Sequence, residues 1–158
     1  MPDRAQVHAL MTEIGPALEL AEVTEIEGDN RWILVIRDGT VLFVDYDPED
    51  QRLWLSADVG APPPGDRLRL YELMLLYNAQ WQQTGGVRLA LDGPEGDVVQ
   101  AYDLPLAGLD LHHLQQVVRN FGDMLEAWRK IVSTGAAAPR AEPFGLDQMM
   151  NAGGLIRG

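Results

Sequence analysis

Residues 70–110 read LYELMLLYNAQWQQTGGVRLALDGPEGDVVQAYDLPLAGLD. Leu73, Met74, Leu75, Leu76 and Tyr77 are apolar in succession, inside a stretch whose composition favours a helix. The expected helix runs from Asp66, at the N-cap position, to Thr84, and Gly85-Gly86 stops it. A strand follows at 87–92, a turn at Gly93-Pro94-Glu95-Gly96, and a second strand at 98–103. Two strands joined by so short a turn are antiparallel neighbours. Leu104-Pro105-Leu106 then leads to Asp110, an N-cap for a helix at 111–133. The apolar stripe of that helix is Leu111, Leu114, Val117, Val118, Phe121, Leu125, Trp128 and Val132.

Upstream, Val7, Leu10, Met11 and Ile14 repeat at helical spacing over 3–15, and Gly15-Pro16 is expected to end that helix. Three strands come next, at 32–37, 41–46 and 53–58. Asp38-Gly39 and Asp47-Pro48-Glu49-Asp50 are the turns between them, so the strands form a meander. The order is α-βββ-α-ββ-α. It specifies an α+β domain over residues 1–134, with a twisted antiparallel sheet packed by helices. Residues 135–158 are rich in Ala, Gly and Pro. They are expected to be a flexible tail, with a short helical turn at 146–150.

The chain has 158 residues, enough for one domain with a full core. It has no cysteine, which excludes disulfides and thiolate chemistry. A formal charge of −12 and a pI near 4.5 disfavour nucleic acid and anionic membranes as partners. The N-terminus has no basic and apolar leader pattern, and no run approaches the ~18 apolar residues of a span, so a cytoplasmic location is expected.

Catalytic and cofactor signals are absent from the pattern. Ser56 and Ser133 sit in no nucleophile elbow. His112 and His113 are adjacent and diverge by ~100° on a helix, which suits no metal motif. The acidic turn at Asp45, Asp47, Glu49 and Asp50 resembles a calcium loop only superficially, because Asp50 stands where glycine is required. The expectation is a protein that is not an enzyme and that carries no metal and no cofactor.

Two regions have more apolar surface than one subunit needs. Five successive apolar residues cover the whole circumference of the second helix, so it is wanted on two sides. A subunit interface is expected at Leu73, Leu75, Leu76, Tyr77 and Trp81. The first two strands are apolar on both faces, with Trp32, Leu34 and Ile36 on one and Ile33 and Val35 on the other. The next strand places Leu42, Val44 and Tyr46 against Val41 and Phe43. The second face is either covered by the first helix and the tail or exposed as a docking patch.

Residues 70–110 resemble the core of the Tir-chaperone-like (CesT-type) type III secretion chaperones. The likeness rests on the leucine-rich helix with Asn78, on Gly85 or Gly86, and on Leu89-Ala90-Leu91-Asp92. It continues through Gly96, Leu104-Pro105-Leu106, Leu109-Asp110 and Phe121…Trp128. Upstream, Leu53–Gly60 resembles the strand that leads into the second helix, with Val59 in place of the usual Leu. The resemblance spans about residues 5–133. It implies a homodimer built on the second helix, and a client, the N-terminal segment of a secreted effector, wrapped around it on apolar patches and a sheet edge. The expected client patch is Trp32, Leu34, Ile36, Leu42, Val44, Tyr46 and Trp54. A same-fold bacterial adaptor or regulatory domain unrelated to secretion is the alternative.

Overall fold

The computed structural model describes residues 3–135. Apart from Gly135, the tail read at 135–158, with its helical turn, lies outside them. The elements are α1 (Arg4–Leu18), β1 (Glu22–Ile26), β2 (Arg31–Val35), β3 (Val41–Asp47), β4 (Arg52–Gly60), α2 (Arg67–Ala79), α3 (Trp81–Thr84), β5 (Arg88–Leu91), β6 (Val98–Pro105) and α4 (Leu111–Thr134). The strands form one six-stranded sheet in the order β1-β2-β3-β4-β6-β5, and β1–β2, β2–β3, β3–β4 and β5–β6 pair antiparallel. The α+β fold class stands. Three details differ from the sequence reading, the first being that α1 runs past Gly15-Pro16 to Leu18. A strand, β1, precedes the expected three, and the second helix breaks at Gln80 into α2 and the single turn α3.

The chain divides into two compact units, residues 1–57 with 102–118, and 58–101 with 119 onward. In the first unit Asp3 caps α1 by accepting the Gln6 N–H at 3.0 Å. Val7, Leu10, Met11 and Ile14 are buried, as their spacing requires. Gly15 allows a close approach of helix to strand, since a Cβ there would lie 3.1 Å from Val23 Cγ2. The helix continues through Pro16, whose missing N–H costs one bond in the last turn, and stops at Glu19 in the left-handed region.

Strands β2 to β4 alternate strictly. Trp32 and Leu34, Leu42, Val44 and Tyr46, and Leu53, Leu55 and Ala57 are buried, while the residues between them are half-buried. The register sets Trp32 opposite Val44, Leu34 opposite Leu42, and Val44 opposite Leu55. Arg52 Nη1 reaches both carboxylate oxygens of Asp103, at 2.7 and 2.6 Å, and ties β4 to β6 within this unit. Asp110 accepts the His113 N–H at 2.7 Å and so opens α4 as expected.

In the second unit α2 turns Leu70, Met74 and Tyr77 inward. The Tyr77 and Trp128 rings meet edge to face, centroids 5.1 Å apart. Asn78 donates to Leu89 O at 2.8 Å and accepts from Leu89 N at 2.9 Å, which fixes β5 to the end of α2. From α4, Phe121, Met124, Leu125, Trp128 and Val132 are buried. Gln100, fully buried, donates to Phe121 O at 2.9 Å, and the Arg129 guanidinium donates twice to Asp58 O.

Candidate protein-binding surfaces

The strict alternation of β2 to β4 decides which apolar face is free. Trp32, Leu34, Leu42, Val44 and Tyr46, expected as a client patch, lie at 7% exposure or below in the core. With the sheet packed they are core residues, Trp32 alone also lining the cleft beside α1, and this part of the sequence reading is corrected. Ile36 falls just past the end of β2 and is half-buried; its N–H bonds to Thr40 O in the hairpin turn. Trp54 alone of the seven sits on the other face, half-buried.

That outer face, all within the first unit, carries Ile33 and Val35 on β2, Val41 and Phe43 on β3, and Trp54 on β4, each half-buried. The register pairs Ile33 with Phe43, Val35 with Val41, and Trp54 with Asp45. These side chains form one apolar strip about two residues wide. Arg31 closes one end. Its guanidinium grips Asp45, with Nε–Oδ1 at 2.6 Å and Nη2–Oδ2 at 3.1 Å, and lies 5.6 Å from the centre of the Phe43 ring. The hydrogen bonds it donates to Asp45, and then the carboxylate's charge, hold the Arg31 guanidinium above its ordinary value. The Arg52–Asp103 pair closes the strip beyond Trp54. Among the described residues β1 ends the sheet with a strand on one side only, the kind of edge to which another strand can be added.

Beside the sheet, α1 and β1 enclose an open cleft of about 500 Å³, floored by Met11, Val23 and Trp32. On its rim Glu25 accepts from Arg4 and meets His8 Nδ1 at 2.8 Å, and Arg37 pairs with Glu19 at 3.2 Å.

The second surface lies in the other unit. α2 is apolar on two opposite sides, as its composition requires. Leu70, Met74 and Tyr77 face inward, while Leu68, Leu75 and Leu76 stand 85%, 69% and 53% exposed, and Trp81 in α3 is 60% exposed. Leu73 is half-buried. Tyr77, expected at a subunit interface, is fully buried against Trp128. It belongs to the core, because it follows Leu70 and Met74 at i+7 and i+3 on the inward side. Burial raises its hydroxyl above the ordinary tyrosine range. Among the described residues, no group of three or more His, Cys, Asp or Glu could hold a metal ion, and no helix is long and apolar enough to cross a membrane.

The family model for the Tir chaperone protein (CesT) family matches residues 9–129. The chain belongs to that family. A Chlamydia pneumoniae protein is 31% identical over 91 residues, which are 57% of this chain and 68% of that protein. Among solved structures, a chain of the ExsC–ExsE complex superposes with a TM-score of 0.71 at 19% identity, covering 87% of this chain and all of that one. A chain of the HopA1–SchA chaperone–effector complex gives 0.66 at 17% identity, covering 83% of this chain and all of that one. These likenesses show that the α+β fold is the secretion-chaperone fold. The CesT match contains both apolar surfaces and the Asn78–Leu89 anchor.

The sequence reading missed the outer strip of Ile33, Val35, Val41 and Phe43 as the accessible one. It also left Leu68, the most exposed of the described large apolar residues, out of the expected interface. A usable signal existed for the first. Arg31, Asp45, Asp47 and Arg52 share strand parity with the strip, and charges mark the wet face.

Proposed function

We propose that this chain is a homodimeric chaperone that binds the N-terminal segment of a type III secreted effector and keeps it soluble and competent for export. Membership of the CesT family is the observation that carries the reading. The two apolar surfaces support one site for each partner. The outer strip around Phe43 and Trp54 takes apolar side chains of an extended client, and the free edge of β1 takes its backbone by strand addition. The stripe of Leu68, Leu75, Leu76 and Trp81 on α2 and α3 takes a second copy. Binding involves no covalent step: burial of the client's apolar groups offsets the cost of ordering it. The reading places the protein in the cytoplasm, where clients are made.

The test is affinity purification of tagged protein from its source cell, with Trp54→Asp alongside. The expected result is a captured polypeptide that is itself exported, whose capture fails when its own N-terminal segment is deleted and weakens at least roughly tenfold with Trp54→Asp. Undiminished capture by Trp54→Asp refutes the role of the strip. A signalling partner that is never exported, bound in place of a client, supports an adaptor instead.

A further inference from the structure

The acidity of the chain is concentrated in one unit. Residues 1–57 with 102–118 hold fourteen Asp and Glu against four Arg, a formal charge of −10. The remaining residues hold ten against eight, a charge of −2. All four arginines of the first unit are already gripped by carboxylates of that unit: Arg4 by Glu25, Arg31 by Asp45, Arg37 by Glu19 and Arg52 by Asp103. The excess is therefore carboxylate, and its placement follows the strands. At one end of the outer strip lie Glu27 and Asp29, between β1 and β2, and Asp47, Glu49 and Asp50, around the β3–β4 turn. At the other end lie Glu22 and Asp38. Glu22, Glu27, Asp29, Asp38, Glu49 and Asp50 are exposed.

We infer that the occupant of the outer strip is a cationic polypeptide segment, with apolar side chains at alternate positions and Lys or Arg among or beside them. This rests on the client reading above and adds the charge class of the client. An extended segment presents every second side chain to the sheet. Its apolar residues fill the strip between Ile33 and Trp54, while cationic residues meet the carboxylates at the strand ends. The field of the unit draws such a segment in and repels an acidic one of equal hydrophobicity. The same asymmetry argues against a second copy on this face, since two units of formal charge −10 would be brought together. The bare stripe on α2 lies in the unit of charge −2, where like copies repel little.

The test uses the full chain and three short labelled peptides read by fluorescence anisotropy: alternating Val and Lys, alternating Val and Glu, and alternating Ser and Lys. At about 20 mM NaCl the Val/Lys peptide is expected to bind roughly tenfold or more tighter than either of the others. Its affinity is expected to fall about tenfold or more by about 300 mM NaCl. Trp54→Ser and Phe43→Ser, at half-buried positions, are each expected to weaken it at both salt concentrations. Equal binding of Val/Lys and Val/Glu, with both lost in the variants, overturns the charge inference and leaves the client face standing. Equal binding of Ser/Lys and Val/Lys, indifferent to the variants, reduces the effect to general attraction and overturns the inference. Failure of all three peptides to bind overturns the inference and the client face together.

Discussion

Replacing Leu75 by Asp tests the proposed self-association surface with little risk to the fold. Leu75 is 69% exposed, and α2 is held from its other side by Leu70, Met74 and Tyr77, so the isolated subunit has little to lose. A dimer joined through this stripe would have much to lose. Burying a leucine completely is worth ~2 kcal/mol. The exposures of Leu68, Leu75 and Leu76 (85%, 69% and 53%) then correspond to roughly 4 kcal/mol per subunit. Trp81, 60% exposed, adds roughly 1–2 kcal/mol more. Two subunits therefore gain roughly 10–12 kcal/mol, against an association cost of about 4–15 kcal/mol. Leu75→Asp removes about 3 kcal/mol of that gain from the pair. It also places two carboxylates in the contact, where an unpaired buried charge costs several kcal/mol more. The sum exceeds about 5 kcal/mol, more than a thousandfold in Kd. Light scattering coupled to gel filtration is expected to show the unsubstituted chain near twice 17.5 kDa and the variant at 17.5 kDa, with unchanged far-UV circular dichroism. A soluble variant that keeps the doubled mass, or an unsubstituted chain that elutes as a monomer, refutes the reasoning.

Three further outcomes check the packing that positions these surfaces. Asn78→Ala removes both bonds to the Leu89 backbone and strands a part-buried N–H, so urea unfolding is expected to show a loss of about 2–4 kcal/mol. A loss below about 0.5 kcal/mol would exclude an anchoring role. Burial raises the Tyr77 hydroxyl, so the folded chain stays protonated there at a pH where the unfolded chain, with an ordinary value of ~10, ionises. Stability from this group is complete below pH ~10 and erodes as pH rises above it, and Tyr77→Phe is expected to flatten that decline; identical alkaline slopes for both proteins contradict it. Gly135, with φ +64°, would place a Cβ 2.3 Å from Asp66 Oδ2. Gly135→Ala is therefore expected to cost about 1–2 kcal/mol in thermal unfolding, partly recovered in an Asp66→Ala background, and no recovery means that the contact is not what resists the methyl.

Most of the fold could be read because its signals were local. The α4 stripe from Leu114 to Val132 and the meander turns at Gly39 and Asp47 emerge where spacing and turn chemistry put them. β1 could not be read in the same way. Its sequence, EVTEI, offers only Val23 and Ile26 as apolar residues, because an edge strand with one neighbour needs little more. The break at Gln80 has no glycine or proline to announce it. It arises where Asn78 is held by Leu89 and Tyr77 is pinned on Trp128, and both are tertiary contacts beyond the reach of local propensity.

The misassigned faces have a different cause, and the residues themselves hold the remedy. Hydrophobicity alone leaves a strand with two apolar faces ambiguous, since shifting the reading by one residue exchanges core for surface. Charge breaks the tie. Arg31, Ile33 and Val35 share one side of β2; Phe43, Asp45 and Asp47 share one side of β3; Arg52, Trp54 and Ser56 share one side of β4. The opposite sides carry no charge from Trp32 to Leu34, from Leu42 to Tyr46, or from Leu53 to Ala57. The same test sorts α2. Glu72 stands among Leu68, Leu75 and Leu76, whereas the one charge on the side of Leu70, Met74 and Tyr77 is Arg67, at the very start of the helix, where its guanidinium donates to Glu95 O at 2.9 Å. A carboxylate or guanidinium left without a partner in the core costs several kcal/mol, so a charge embedded in an apolar stripe declares that the stripe opens outward. A stripe that opens outward and is still apolar is one that a partner can cover. Tyr77 falls on the core side of that line, and Trp54 on the side that stays open to a partner.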